Sequence, residues 1–401
     1  MKKSLFVLLA LAFCLTACAP AESTISESDT TPATAEAAMT EEPAETQTGT
    51  FQVAGELRDV SDTTLQENTL YDVQYGDSPE DTTFVAVDFQ TGQLTPICQL
   101  EDWGESFMGW LVKGEVFYYL IYDKEGNAIL HSRVLTDGSE TEWRLAVGKE
   151  YPAFVDDQYL YFVQTDYTGY NAMMKRVNLT TGELEDLPLP ALTASFQDVE
   201  GSQFLITRVL TPMPVNASPQ GDNDQYEALM QNAEIEYSWW DPATGTVDKV
   251  LQEPYYGEKD AQGNWVTRIY LGKAEGKLYF YRASIAQTGM QGSRVERCNL
   301  DGSQVETVFS LPEGAGAPSG LKKEGQLHWL LQPTSSGLTV YVVATGETLV
   351  VGSPAGMGGF CPDRCLPGNQ LLLSQKDGSY RVVTETDYLA GVFTGTTIPA
   401  L

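Results

Sequence analysis

The densest group of reactive side chains in the sequence is Cys361-Pro362-Asp363-Arg364-Cys365. Its spacing is Cys-x-x-x-Cys, one residue longer than the Cys-x-x-Cys of dithiol redox motifs. In a strand, cysteines four apart share a face about 13 Å apart. A disulfide needs Cα atoms within about 7 Å. A bridge therefore requires Pro362 to bend the chain; otherwise both residues are core thiols. Cys98 and Cys298 lie elsewhere in the chain and read as unpaired. The two histidines, His131 and His328, are too few and too far apart for a His-rich zinc site, and both read as ordinary strand residues. Asp222-Asn223-Asp224 offers oxygen ligands for calcium but lacks the Gly and distal Glu of an EF-hand loop. No Ser sits in a Gly-x-Ser-x-Gly elbow, and no phosphate-cradling Gly loop is present. No cofactor and no metal is expected. Paired carboxylates remain as a source of acid–base chemistry, but acids are so abundant that spacing singles out no pair.

The elements that would position any such group come from a repeat. Strand cores recur at Leu70-Tyr71, Val116-Phe117-Tyr118, Leu160-Tyr161-Phe162, Phe204-Leu205-Ile206, Leu278-Tyr279-Phe280, Leu327-His328-Trp329 and Leu371-Leu372-Leu373. Each is followed by a turn built on Gly92, Gly138, Gly182, Gly245, Gly302, Gly346 or Gly391, with successive separations of 46, 44, 63, 57, 44 and 45. A period near 45 with several strands per unit predicts a β-propeller. An Asp or Asn opens most of these turns, as in Asp88-Phe89-Gln90-Thr91-Gly92 and Asn178-Leu179-Thr180-Thr181-Gly182. The acid or amide bonds local amides, and Gly four residues on takes positive φ. The fold is read as all-β: seven blades of four antiparallel strands. Residues near Phe51–Val60 are expected either to complete the last blade or to form the first inner strand.

Lys2 and Lys3 precede an apolar run, Leu5–Leu15, too short to span a bilayer, which ends in Leu15-Thr16-Ala17-Cys18. This resembles the lipobox of bacterial lipoprotein signal peptides. The resemblance implies cleavage before Cys18, lipid on its thiol, and a membrane-anchored domain on the extracytoplasmic side. Residues 18–50 are rich in Thr, Ala, Glu, Ser and Pro without Lys or Arg, the composition of a disordered tether. The expected organisation is therefore signal peptide 1–17, tether 18–50 and propeller 51–401. The net charge of −31 argues against nucleic acid and against direct docking on anionic lipid.

The unit Leu278-Tyr279-Phe280 … Val295-Glu296-Arg297-Cys298-Asn299-Leu300-Asp301-Gly302-Ser303 resembles the Tyr-Trp-Thr-Asp propeller repeats of the low-density-lipoprotein-receptor family, related domains of which occur in bacterial surface lipoproteins. The Tyr-Trp-Thr-Asp signature itself is absent, and seven units stand where that family has six. The resemblance implies the propeller architecture and does not extend to the receptor's ligands.

Length variation is expected in two adjacent places on one face: the connection Thr211–Glu234 in unit four and Gln252–Asn264 leading into unit five. Tyr226, Tyr255, Tyr256 and Trp265 fall there, with Tyr167 and Tyr170 next door in unit three. Aromatic faces flanked by carboxylates suit a glycan, peptide or protein of the cell envelope, while the same rings also suit packing under their own loops. In Trp239-Trp240, one ring is expected in an inter-blade layer and the other at the surface. These features favour a non-enzymatic, membrane-tethered binding or scaffold propeller. The alternative is an extracytoplasmic carbohydrate-active hydrolase or lyase using carboxylates near the propeller channel.

Overall fold

The computed structural model describes residues 50–400 except 75–81, 100–106, 124–126, 148–149, 165–171, 211–232, 255–257, 260–264, 287–288, 312–314, 353–359 and 376. The described chain forms seven antiparallel sheets around a central axis, the seven-bladed propeller expected from the repeat. Each blade takes four consecutive strands, a to d. Blade one comprises Leu65–Gln66, Thr69–Gln74, Thr83–Asp88 and Gln93–Gln99. Blade two comprises Phe107–Lys113, Val116–Tyr122, Ala128–Val134 and Glu140–Leu145; blade three, Tyr151–Val155, Tyr159–Gln164, Met173–Asn178 and Leu184–Leu187; blade four, Thr193–Glu200, Gln203–Val209, Glu234–Asp241 and Thr246–Pro254; blade five, Trp265–Ala274, Lys277–Ala286, Gly289–Asn299 and Glu306–Ser310. Blade six comprises Ser319–Lys323, Gln326–Thr334, Gly337–Val342 and Glu347–Gly352; blade seven, Arg364–Leu366, Gln370–Ser374, Tyr380–Thr384 and Thr396–Ile398.

Strand b explains why the repeat is visible. It lies inside its sheet and is covered on both faces by neighbouring blades, so it reads as a continuous apolar run. In blade three, Leu160 and Phe162 join a cluster with blade two, while Tyr161 and Val163 join one with blade four. Seven such clusters exist, one at each interface between neighbouring blades. The seventh joins Leu70, Val85 and Val87 of blade one to Leu366, Leu372, Tyr380 and Ile398 of blade seven, so the ring is closed by side-chain packing. Among the described residues no strand is exchanged across that seam: blade one is built from early strands only and blade seven from the last four.

The seven turn glycines all have positive φ, from +69° to +79°. Asp88 Oδ1 accepts from the Gln90 and Thr91 amides, and Asn178 Oδ1 from those of Thr180 and Thr181. The turn chemistry is the one the sequence predicts.

Three details differ from the sequence expectation. Arg58–Asp59 neither completes the last blade nor forms the first inner strand; it pairs with Phe154 and Val155 on the inner edge of blade three. Its approach is fixed by Ala54 N donating to Asp156 Oδ2 at 2.9 Å and Leu57 N to the Gly201 carbonyl at 2.8 Å. Second, much of the connection into blade five is strand: blade four's outer strand runs to Pro254, and Glu258–Lys259 adds a fifth strand beside Trp265–Ala274. Blade five's central strands, Lys277–Ala286 and Gly289–Asn299, are also long, so extended hairpin takes up part of the stretched period. Third, both Trp239 and Trp240 are buried. They face opposite ways, but each opposite face belongs to an inter-blade core, Trp240 toward blade three and Trp239 toward blade five.

Candidate functional site

Most of the aromatics proposed from the sequence fall outside the described residues: Tyr167, Tyr170, Tyr226, Tyr255 and Tyr256, as does Asp222-Asn223-Asp224. Trp265 opens blade five's inner strand, its backbone opposite Ile285 and Lys259. Cys18 and the rest of the signal and tether region are also outside. Cys98, Cys298, Cys361 and Cys365 are free thiols.

The chemistry gathers instead around blade seven. On its seam with blade one stands Asp72, the fourth residue of strand b. Strand pairing sets the equivalence: Thr69 lies opposite Asp88 as Tyr159 lies opposite Asn178, so Asp72 matches Phe162. The same count gives Ile206 in blade four, Phe280 in blade five and Leu373 in blade seven. Blade one thus places a carboxylate where those blades bury a hydrophobic side chain. Tyr380 Oη donates to Asp72 Oδ2 at 2.8 Å, and the Val73 amide donates to Oδ1 at 2.8 Å. Burial pushes the Asp72 carboxyl above the usual carboxylate range, against the pull of the Val73 amide, the Tyr380 hydroxyl and the Arg364 charge.

Asp363 faces the same seam. It is exposed as a residue, yet crowding by neighbouring chain holds its carboxyl up, with the Asp72 charge adding to the effect and the Ser374 amide, at 2.5 Å, opposing it. Arg364, next in the chain, donates to the Ser61 carbonyl at 3.0 Å and acts electrostatically on both carboxyls. Two carboxyls, a phenol and a guanidinium are therefore brought together from blades one and seven. Asp72 and Tyr380 lie toward the side of the ring that carries the b–c and d–a connections, where Gln74, which ends blade one's strand b, donates to the Gly378 carbonyl of blade seven's b–c connection at 3.0 Å; Arg364 reaches the other way, to the segment that crosses the opposite mouth.

The opposite end of the channel is crowded by structural charge. Lys113 Nζ donates to the Asp156 carbonyl at 3.0 Å, Lys273 Nζ lies 3.8 Å from Asp198, and Tyr270 Oη donates to Asp198 at 2.6 Å. Lys322 sits among Asp198, Asp59 and Asp62. These residues end inner strands or belong to the segment that crosses that mouth, and they tie neighbouring blades together.

A second group lies at the interface of blades six and seven. Single ligand atoms of His328, Cys365 and Glu385 all lie within 4.8 Å of one another. His328 comes from the start of blade six's strand b. Cys365 is in blade seven's inner strand, and Glu385 opens the one-turn helix Glu385–Leu389 after strand c. The helix is capped by Thr384, whose hydroxyl accepts from the Asp387 amide at 3.0 Å, and the Glu385 amide donates to the Asn369 carbonyl at 2.9 Å. His328 is thus more than the ordinary strand residue expected from sequence. His131 stacks on Tyr119 at 4.6 Å in blade two.

These two groupings overturn the expectation of a non-enzymatic binding or scaffold protein. That reading rested on an apparent lack of convergent reactive groups, and the fold supplies them from residues distant in sequence. The aspartate could have been found by aligning Thr69-Leu70-Tyr71-Asp72-Val73 with Tyr159-Leu160-Tyr161-Phe162-Val163. The His–Cys–Glu group had no sequence signal, because its members come from different strands of two blades.

No family model and no curated protein matches the chain. Among solved structures, it is similar to an oligogalacturonate lyase in complex with manganese, at 13% identity over 86% of this chain and 85% of that one, with a TM-score of 0.45. It is also similar to the β-propeller domain of the trilobed protease from Pyrococcus furiosus, at 10% identity over 84% and 92%, TM-score 0.45. An acylaminoacyl peptidase matches at 10% identity over 82% of this chain and 51% of that one, TM-score 0.47. At these identities and scores the likeness carries no information about reaction or substrate.

Proposed function

We propose that the protein is an extracytoplasmic hydrolase or lyase acting on carbohydrate, with its catalytic centre at the seam of blades one and seven. The observation that carries this reading is Asp72, a carboxyl at a strand position that is apolar in blades three, four, five and seven, bonded to Tyr380 and electrostatically coupled to Asp363. Glycosidic chemistry needs one carboxyl that keeps its proton and one that does not. Asp72, held up by burial, is the general acid. Asp363 is itself held up, in part by the Asp72 charge; with Asp72 protonated that part is lifted, and Asp363, exposed and bonded to the Ser374 amide, is the base or nucleophile. Tyr380 orients Asp72, and Arg364 supplies positive charge for an anionic sugar or a developing oxyanion.

Lipid attachment at Cys18, and with it a membrane location, belongs to the same proposal. Cys18→Ala should move the protein from the membrane to the soluble fraction. Kinship with the low-density-lipoprotein-receptor propellers is proposed at the level of blade architecture alone.

The test is a screen of the purified protein on neutral and acidic polysaccharides, reading reducing ends and, for elimination, unsaturated products. Asp72→Asn and Asp363→Asn should each lower turnover by about 10²- to 10⁴-fold while the protein stays folded. A wild type inactive on every glycan, or an Asp72→Asn variant of undiminished activity, would overturn the assignment.

A further inference from the structure

We infer that His328, Cys365 and Glu385 form a binding site for a divalent transition metal of the zinc class. The three side chains meet at the interface of blades six and seven, apart from the carboxyl pair at the seam of blades one and seven. Imidazole, thiolate and carboxylate together suit zinc and its borderline-soft neighbours, whereas magnesium and calcium take oxygen ligands. Zinc–ligand bonds of about 2.0–2.3 Å at tetrahedral angles put ligand atoms about 3.3–3.8 Å apart. His328 Nε2 and Glu385 Oε1 are already 3.2 Å apart, and the remaining separations do not exceed 4.8 Å. Closure by about 1.5 Å at most completes a three-ligand site, and the fourth position stays available to water or another ligand.

The surroundings fit a ligand better than they fit a finished hydrogen-bond network. His328 Nε2 is buried, and despite its closeness to Glu385 it has no partner in hydrogen-bonding alignment. The His328 ring lies nearly parallel to that of Trp329, 5.3 Å away, and this contact limits its freedom to turn. Cys365 is buried in the core shared by blades six and seven, so its sulfur is held in place by packing. The His328 and Glu385 side chains are 19% and 16% exposed, so the group lies close to the surface although Nε2 itself is covered.

Lys323 is the built-in competitor. Its Nζ lies 3.3 Å from Glu385 Oε1 and donates to Asn369 Oδ1 at 2.9 Å. An arriving cation takes Glu385 from Lys323, which keeps Asn369 as its partner. Removing the lysine should therefore strengthen metal binding, whereas removing any ligand should weaken it. A purely structural ion pair between Lys323 and Glu385 predicts no such opposition.

The experiment uses the whole protein, stripped with chelator and titrated with zinc and with cobalt(II). One equivalent of cobalt should give the visible bands of a tetrahedral site with a thiolate charge-transfer band. Cys365→Ser should lose that band, and His328→Gln and Glu385→Gln should each weaken binding by about tenfold or more. Thermal melting confirms that each variant is folded, and at a fixed concentration zinc should raise the melting temperature of the wild type more than that of any ligand variant. Should a ligand variant not fold, Lys323→Met decides, with binding expected to tighten by about tenfold. No cobalt bands in the wild type, unchanged binding in folded ligand variants, or no tightening in Lys323→Met would overturn the site.

Discussion

Asp72 shows how a single residue can be costly to the fold and useful to the chemistry. Its carboxyl is raised by burial, so the folded state holds a proton that the unfolded chain releases at about pH 3.9. Below that pH the group is protonated in both states and costs little. Between it and the raised folded value, stability falls as pH rises, and above the folded value the loss is complete. Asp72→Asn keeps an oxygen for the Tyr380 hydroxyl and removes the charge. The variant should therefore melt at a higher temperature than wild type at neutral pH, with the two curves converging near pH 3–4. The groups facing Asp72 are Tyr380, Asp363 and Arg364; the change leaves their side chains in place and lifts the Asp72 charge from Asp363 and Tyr380, which lowers the pKa of both. Activity should move the opposite way. The wild-type rate should decline on the basic side as Asp72 loses its proton, and the variant should have neither the rate nor that limb. An Asn variant less stable than wild type at neutral pH would mark Asp72 as a structural latch instead.

At the scale of the element, the c–d turn is the part most fully encoded in the chain. Its glycines share one conformation but differ in what surrounds them. A Cβ on Gly302 would lie 1.8 Å from the Val250 carbonyl oxygen of blade four, with φ at +79°. One on Gly391 would meet nothing within 4 Å, at a similar φ of +73°. Gly391→Ala should cost about 1–2 kcal/mol, the left-handed penalty alone. Gly302→Ala adds a backbone clash and should cost at least about 2 kcal/mol more, which chemical denaturation of the two variants can compare. Equal losses would mean that blades four and five readily part at that turn. The turns and the apolar strand b were legible because they depend on neighbours within a few residues. What faces what across a blade interface was not. Trp239 looks like a surface residue only while the neighbouring blade is missing from the argument. Likewise, Asp72 is one acid among many until strand pairing sets it beside Phe162, Ile206, Phe280 and Leu373. The His–Cys–Glu group depends on the approach of Cys365 and Glu385 to a strand of the preceding blade, which no local pattern records.

For the whole molecule, the seam between the first and last blades is the feature on which both ring closure and the proposed activity depend. Its polar contacts join residues some 300 positions apart, as in Tyr380 to Asp72 and Arg364 to Ser61, so closing the ring also carries the entropy of closing the longest loop. The inner strands there are short: Leu65–Gln66 in blade one and Arg364–Leu366 in blade seven, against Thr193–Glu200 in blade four. Fewer inner-strand pairings and no exchanged strand leave packing around Leu70, Leu372 and Ile398 as the main closing force. Amides of blades one and seven should accordingly exchange with solvent before those of the Phe204–Trp240 layer, through an opening smaller than global unfolding. The catalytic groups proposed here bridge that opening. A saccharide bound across Asp72 and Asp363 binds only the closed ring, so it should slow exchange at the seam and leave the blade-four amides unchanged. Hydrogen exchange with and without a saccharide that the screen identifies as substrate measures both effects. Uniform protection around the ring would remove the weak seam, and ligand protection confined to blades three to five would place the site on the opposite side of the propeller.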